Sequence, residues 1–212
     1  MTAPLLLIFD LDGTLVDSAK DLAITMNATR AHFDMPPLDP NLIYSYVGNG
    51  AAVLVRKALG PDVAEEGLRF FLKYYRAHAL EHTQPYPGVR EMIEQLSADG
   101  HTLAVLTNKP VRISRDIITA LSLDRHFGWV YGGDSFAQKK PDPIGIATLL
   151  SDSGSPPAHT WMIGDSAVDI QTARNAGVLS CGVAWGFQPE GFLANPPDML
   201  ISHPGELAAR LR

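Results

Sequence analysis

Three short apolar runs in this chain each stop at a polar residue, and that repeated ending restricts the fold more than any other feature. "LLLIFD" ends at Asp10, "HTLAVLTN" at Thr107 and Asn108, and "TWMIGD" at Asp165. Helical patterns lie between them. In "GVREMIEQLSADG", Val89, Met92, Ile93 and Leu96 share one helical face and Gly100 closes the segment, while "SAVDIQTARNAG" stops at Gly177. Apolar strands alternating with amphipathic helices are the pattern of βαβ units in a parallel sheet. "FGWVYGG", "SCGVAWG" and, at an edge, "PDMLIS" supply further strands. The expected fold class is α/β, a Rossmann-like parallel sheet core flanked by helices.

Residues 18–82 break the alternation. They hold no good strand but three helical stretches, "SAKDLAITMNATRAHF", "NGAAVLVRKALG" and "EEGLRFFLKYYRAHALEH". Ser18 and Asp21 have the spacing of a capping box, which would start the first of these helices. "PYPG" at residues 85–88 marks the return to the sheet. The expected organisation is therefore a core of residues 1–16 and 84–212 with an inserted α-helical cap of residues 17–83.

A chain of 212 residues can bury a real core and carry such an insert. Its formal net charge is -6 with no lysine or arginine block, which argues against nucleic acid or an anionic membrane as partner. The leucines of "MTAPLLLIFD" lack the basic start of an export signal, and no later run approaches the ~18 apolar residues of a membrane span. A single cysteine, Cys181, cannot form an internal disulfide, consistent with a reducing cytoplasm. Composition leaves monomer and homodimer equally open.

The acids at the strand ends raise the chemical question. Asp10 and Asp12 are separated by one residue, so in an extended chain their side chains point the same way. At ~4 Å and an effective dielectric near 20, two carboxylates repel by roughly 4 kcal/mol. Either one carboxyl is protonated, or a cation sits between them and turns that repulsion into ligation. In an open parallel sheet the carboxyl ends of the strands share one rim, where ligands bind. Asp10, Asp12, Asp165 and Asp169 therefore converge there with Thr107, Asn108 and Lys140, the last in "KKPDP". An oxygen-rich set without a His and Cys cluster suits Mg²⁺ rather than zinc. A carboxylate held beside Mg²⁺ can attack phosphorus, a second can protonate the leaving oxygen, and lysine with hydroxyl or amide donors can hold the phosphoryl oxygens.

"DLDGTLVDS", "LTNKP", "KKPDP" and "GDSAVDIQTARNAG", in this order and spacing, resemble the four motifs of the haloacid dehalogenase superfamily. The likeness covers nearly the whole chain. With its helical insert after the first motif and the segment "YVGNGAAVLVRKAL", the chain is similar to the phosphoglycolate phosphatase-like branch. The resemblance implies that Asp10 is the nucleophile and Asp12 the general acid and base. It implies Mg²⁺ on the Asp10 carboxylate, the Asp12 backbone carbonyl and Asp165, with Asp169 in support. Thr107 and Asn108 would contact the phosphoryl group, and Lys140, chosen over its neighbour Lys139, would tie it to Asp10. Gly13, Gly50 and Lys57 complete the implied substrate-binding set. Lys57 stands where relatives often carry arginine, and the "VGNG" turn can offer backbone amides to an anion. The implied activity is hydrolysis of a small phosphorylated metabolite, with 2-phosphoglycolate favoured. A phosphomutase of the same fold and a non-catalytic binding or regulatory member are the alternatives.

Other signals carry less. "GNGAAV" lacks the preceding strand and last glycine of a dinucleotide fingerprint. His78 and His82 lie four apart without a third ligand, and Cys181 and Trp185 read as packing residues.

Overall fold

The computed structural model describes residues 4–211. The chain opens with β1 (Leu6–Phe9) and the two-residue β2 (Val16–Asp17), then runs through α1 (Ala19–His32), α2 (Pro40–Tyr44), α3 (Ala51–Leu59) and α4 (Ala64–His78). The short β3 (Gln84–Pro85) leads back to α5 (Val89–Ala98), β4 (Thr102–Leu106), α6 (Val111–Ala120), β5 (Phe127–Tyr131) and α7 (Ile144–Ser153). The chain finishes with β6 (Thr160–Gly164), α8 (Ala167–Ala176), β7 (Leu179–Val183), β8 (Met199–Ile201) and α9 (Gly205–Arg210).

Six strands form one parallel sheet in the order β5-β4-β1-β6-β7-β8. The chain leaves β1 for β4 and β5 on one side, then crosses to β6, β7 and β8 on the other. The order thus reverses beside β1, and Phe9 is in register with Val105 of β4 and Ile163 of β6. Such a reversal leaves a crevice at the carboxyl ends of the strands.

The sheet is buried on both faces. Alternation along β1 sends Leu7 and Phe9 into one layer with Val89 and Ile93 of α5, Ile117 of α6 and Leu207 of α9. Leu6 and Ile8 go into the opposite layer with Ile146 and Leu149 of α7 and Ala173 of α8. All four β1 side chains are fully buried, each contributing roughly 1.5–3 kcal/mol relative to exposure. "PDMLIS" yields the edge strand β8, as its sequence indicates.

The helical insert leaves the sheet through β2 and returns through β3, which pair antiparallel with Val16 opposite Pro85 and Asp17 opposite Gln84. It contains a fourth helix, α2, too short to show a period, whose start is capped by Asp39 accepting from the Asn41 N–H at 2.8 Å. The expected capping box at Ser18 does not form. Ser18 Oγ donates instead to Asp12 Oδ1 at 2.5 Å. Asp21 Oδ2 accepts from the N–H groups of His82 and Thr83 and from Thr83 Oγ1 at 2.8–3.0 Å. Asp21 is buried, and three donors from the returning segment engage its Oδ2 in place of its own helix end, which ties α1 to that segment, while Oδ1 meets no donor among the described residues. Among the described residues no helix is long and apolar enough to cross a membrane.

Candidate active site

The rim residues meet because β1 and β6 are neighbours. Asp10 follows β1, its N–H bonded to Ile163 O at 2.9 Å, and Asp165 follows β6. Asp169 lies in the first turn of α8, where its Oδ2 accepts from the Ser166 N–H and hydroxyl at 3.1 and 2.7 Å. This is a capping box of the kind expected at Ser18, formed instead at the start of α8. Asp10, Asp165 and Asp169 can each place a carboxylate oxygen within 4.8 Å of the others, and all three are buried.

Lys140 completes this group. Its Nζ lies 3.1 Å from Asp10 Oδ1 and 2.6 Å from Asp169 Oδ1, and the side chain is buried. Lys139 is exposed and takes no part in these contacts. Three carboxylates and one ammonium leave a formal charge of -2 in a desolvated space. Burial, opposed by Lys140 and reinforced by Asp169, pushes Asp10 up to about 6. Burial, then Asp169 and Asp10, also raises Asp165 well above its ordinary value. One divalent cation would cancel the residual charge, and an all-oxygen donor set fits a hard ion.

Glycines bring the backbone close enough to form the cradle. Gly13 has φ +80°, and a methyl group there would overlap the Asp165 carboxylate. A Cβ at Gly186 would strike Asp165, and one at Gly164 would strike Asp169. Phe187, next to Gly186, donates its N–H to Asp165 Oδ2 at 2.7 Å. Gly164, Gly186 and Phe187 carried no separable signal in the sequence, because their role depends on which carboxylate they touch.

Asp12 faces a different way. Its carboxylate is not in the three-acid cluster; Lys109 Nζ lies 2.9 and 3.0 Å from its two oxygens. Lys109 also donates to Tyr75 Oη at 2.7 Å. Burial works against the Lys109 ammonium, but Asp12 and Tyr75 more than offset it and raise the group above its ordinary value. Lys109 stands in the quoted motif "LTNKP", directly before a proline as Lys140 does, and that shared context was the available clue. Tyr75 reads in sequence as one more member of the apolar face of α4, beside the buried Phe71.

Thr107 and Asn108 follow β4 on the same rim, both buried. Thr107 Oγ1 accepts the Lys109 N–H at 3.3 Å. Asn108 Nδ2 donates to Gly48 O at 2.9 Å and to Lys140 O at 3.0 Å, so its amide clamps the insert to the Lys140 loop. A cleft of about 630 Å³, counted out to its mouth, separates the rim from the insert. Gly48, Gly50, Leu54, Leu72 and Tyr75 line the insert side, and among the described residues Lys109 is the only cation in the lining. Gly48 and Gly50 have φ +104° and +86° and shape the turn into α3.

Lys57 does not join the site. The buried face of α3 is formed by Leu54, Val55, Ala58 and Leu59, and helical spacing turns Lys57 away from it. Its side chain is exposed, with Nζ 5.3 Å from the Tyr46 ring centroid. His78 pairs with Glu81 at 2.6 Å on the surface, and Cys181 is buried in β7. Trp185 is half-buried near the rim and donates Nε1–H to Thr14 O at 3.2 Å.

The chain's relatives share this architecture. The family profile described as haloacid dehalogenase-like hydrolase matches residues 7–183. A phosphoglycolate phosphatase of Chromobacterium violaceum is 40% identical over 208 residues, covering 94% of this chain and 92% of that protein. One from Pseudomonas syringae pv. syringae is 39% identical over 193 residues, covering 87% of this chain and 71% of that protein. The crystal structure of a predicted phosphoglycolate phosphatase from Haemophilus somnus superposes with a TM-score of 0.94 at 32% identity, covering 100% of both chains.

Proposed function

The chain belongs to the haloacid dehalogenase-like hydrolases and is a phosphoric monoester hydrolase; from that premise we propose that it is a Mg²⁺-dependent phosphatase of a small phosphomonoester, with 2-phosphoglycolate as the favoured substrate. The observation that carries this reading is the buried Asp10, Asp165 and Asp169 cluster with its single lysine. Its charge of -2 would repel a phosphoryl dianion unless a divalent ion joined it. The carboxylates of Asp10 and Asp165 and the backbone carbonyl of Asp12 would hold Mg²⁺, with Asp169 in support. When bound, the ion supplies charge neutralisation at the phosphoryl oxygens.

The remaining chemistry belongs to the chain. Asp10 Oδ1 is held by the Leu11 N–H at 2.7 Å and by Lys140, which fixes the carboxylate for attack on phosphorus. As the new O–P bond forms, the ester P–O bond breaks and Asp12 passes its proton to the leaving oxygen. The Asp12 carboxylate then takes a proton from the water that cleaves the aspartyl-phosphate, which restores Asp10 and releases phosphate. Thr107 Oγ1 and the Asn108 N–H would hold phosphoryl oxygens, since the Asn108 amide is committed to Gly48 and Lys140.

Residues 17–83 act in this reading as a cap over a core of residues 1–16 and 84–212, excluding water during attack. With Lys57 outside the cleft, a leaving-group carboxylate would meet the backbone amides of the Gly48–Gly50 turn at the amino end of α3. The named activity of the Chromobacterium violaceum relative supports 2-phosphoglycolate. The test is phosphate release with Mg²⁺ across a panel of small phosphoesters, with the highest kcat/KM expected for 2-phosphoglycolate. Interconversion of hexose phosphates without free phosphate would favour a mutase instead. Inactivity on every ester would favour a binding protein.

A further inference from the structure

The proposed mechanism leaves the orientation of Asp12 unexplained. Asp12 stands in a loop beyond β1, next to a glycine with positive φ, and its carboxylate is partly exposed. Its two oxygens are unequally engaged. Oδ1 takes the Ser18 hydroxyl at 2.5 Å and Lys109 at 2.9 Å, whereas Oδ2 takes Lys109 alone at 3.0 Å. Oδ2 therefore keeps lone-pair capacity for a proton in transit. Lys109 is itself immobilised, because its side chain is buried and Tyr75 Oη takes another of its protons. The backbone of Lys109 belongs to the Thr107–Asn108 loop, and Tyr75 belongs to α4 of the insert.

We propose, on the basis of the phosphatase reading, that Lys109, braced by Tyr75 of the insert, is a positioning residue that sets the Asp12 carboxyl for proton transfer to the leaving oxygen. Lys109 acts through Asp12 and touches neither the phosphoryl group nor the leaving group. The bonds exchanged are those already described: Asp12 O–H breaks, the alcohol O–H forms, and the P–O bond passes from the ester oxygen to Asp10.

Leaving groups that need no proton separate this role from a structural one. An aryl ester such as p-nitrophenyl phosphate departs as a phenolate, whereas glycerol phosphate and 2-phosphoglycolate depart as alkoxides that require protonation. kcat/KM reports every step up to that departure. In Lys109→Met the ratio of alkyl to aryl kcat/KM is expected to fall at least thirtyfold, equally for both alkyl esters. Tyr75→Phe, which keeps the ring packing of α4, should lower the ratio about threefold to tenfold.

A ratio within twofold of wild type in a folded Lys109→Met protein overturns the proposal. So does a loss confined to 2-phosphoglycolate, which would make Lys109 a ligand of the substrate carboxylate. Should Lys109→Met fail to fold, Tyr75→Phe decides by the same ratio. Asp12→Asn separates the two readings: a selective loss there without one in the Lys109 and Tyr75 variants sinks only the brace. A wild-type protein inactive on all three esters sinks the phosphatase reading and the brace together.

Discussion

At Asp10, stability and chemistry pull in opposite directions. Three carboxylates share a buried space with one lysine, so each carries repulsion that Lys140 offsets in part and that a proton or a further cation relieves. Asp10→Asn keeps the shape, removes one charge and removes the nucleophile. We expect kcat to drop by roughly four orders of magnitude or more, while the metal-free variant melts no lower than wild type by circular dichroism. Retained turnover in that variant would remove Asp10 from the mechanism. Gly13 is constrained by backbone and space together, with φ +80° and the Asp165 carboxylate where a Cβ would go. Gly13→Ala should displace Asp165, weakening Mg²⁺ binding at least tenfold in a metal titration of thermal stability; unchanged affinity would mean that Asp165 does not hold the ion. These residues were legible in the sequence because they stand at strand ends or beside them, and the sheet alone brings strand ends together. The lysines were not equally legible. Lys57 and Lys109 are alike as residue types, but a helical turn points one outward and a loop buries the other against Asp12.

Among the elements, the sheet was readable and the connections to the insert were not. A strand buried on both faces is an unbroken apolar run bounded by turn residues, as β1, β4 and β6 are. β2 and β3 are two residues each, Val-Asp and Gln-Pro, and show no period at all. Ser18 and Asp21 matched a local capping pattern, yet tertiary partners on Asp12 and Thr83 prevailed. The same blindness hid one of the contacts that fasten the insert. Gln188 Nε2 reaches Val47 O at 2.8 Å, with Tyr44 O and Ser45 O at 3.4 and 3.3 Å. It thereby satisfies carbonyls at and beyond the end of α2 from across the cleft. One such hydrogen bond contributes about 1 kcal/mol. Gln188→Ala should therefore lower kcat/KM about fivefold by depopulating the closed insert, with the melting temperature within about 2 °C of wild type. Steady-state kinetics that match wild type would show that this contact does not govern closure.

On the scale of the whole molecule, the acidic cluster links metal, proton and fold. Its members come from residues 10, 165 and 169, which approach one another only when β1 and β6 pair and α8 is formed. An ion that needs all of them binds the folded chain alone and stabilises it by mass action. Without metal, Asp10 titrates near 6 in the folded protein against 3.8 for the free side chain, and Asp165 is shifted in the same direction. The folded form therefore binds more protons than the unfolded form between those values. The relative stabilisation from these two groups is fully present below about 4 and, for Asp10, is lost as the pH rises through about 6. Mg²⁺ must displace those protons to bind, so its effect runs the other way. At pH 8 and a hundredfold excess over Kd, Mg²⁺ should raise the melting temperature by roughly 5–10 °C. At pH 5 the increment should shrink to less than half, because protons already neutralise the cluster. Calorimetric scans with and without Mg²⁺ at the two pH values measure both quantities. An increment of equal size at pH 5 and pH 8 would uncouple the ion from the buried carboxylates and place its binding elsewhere on the surface.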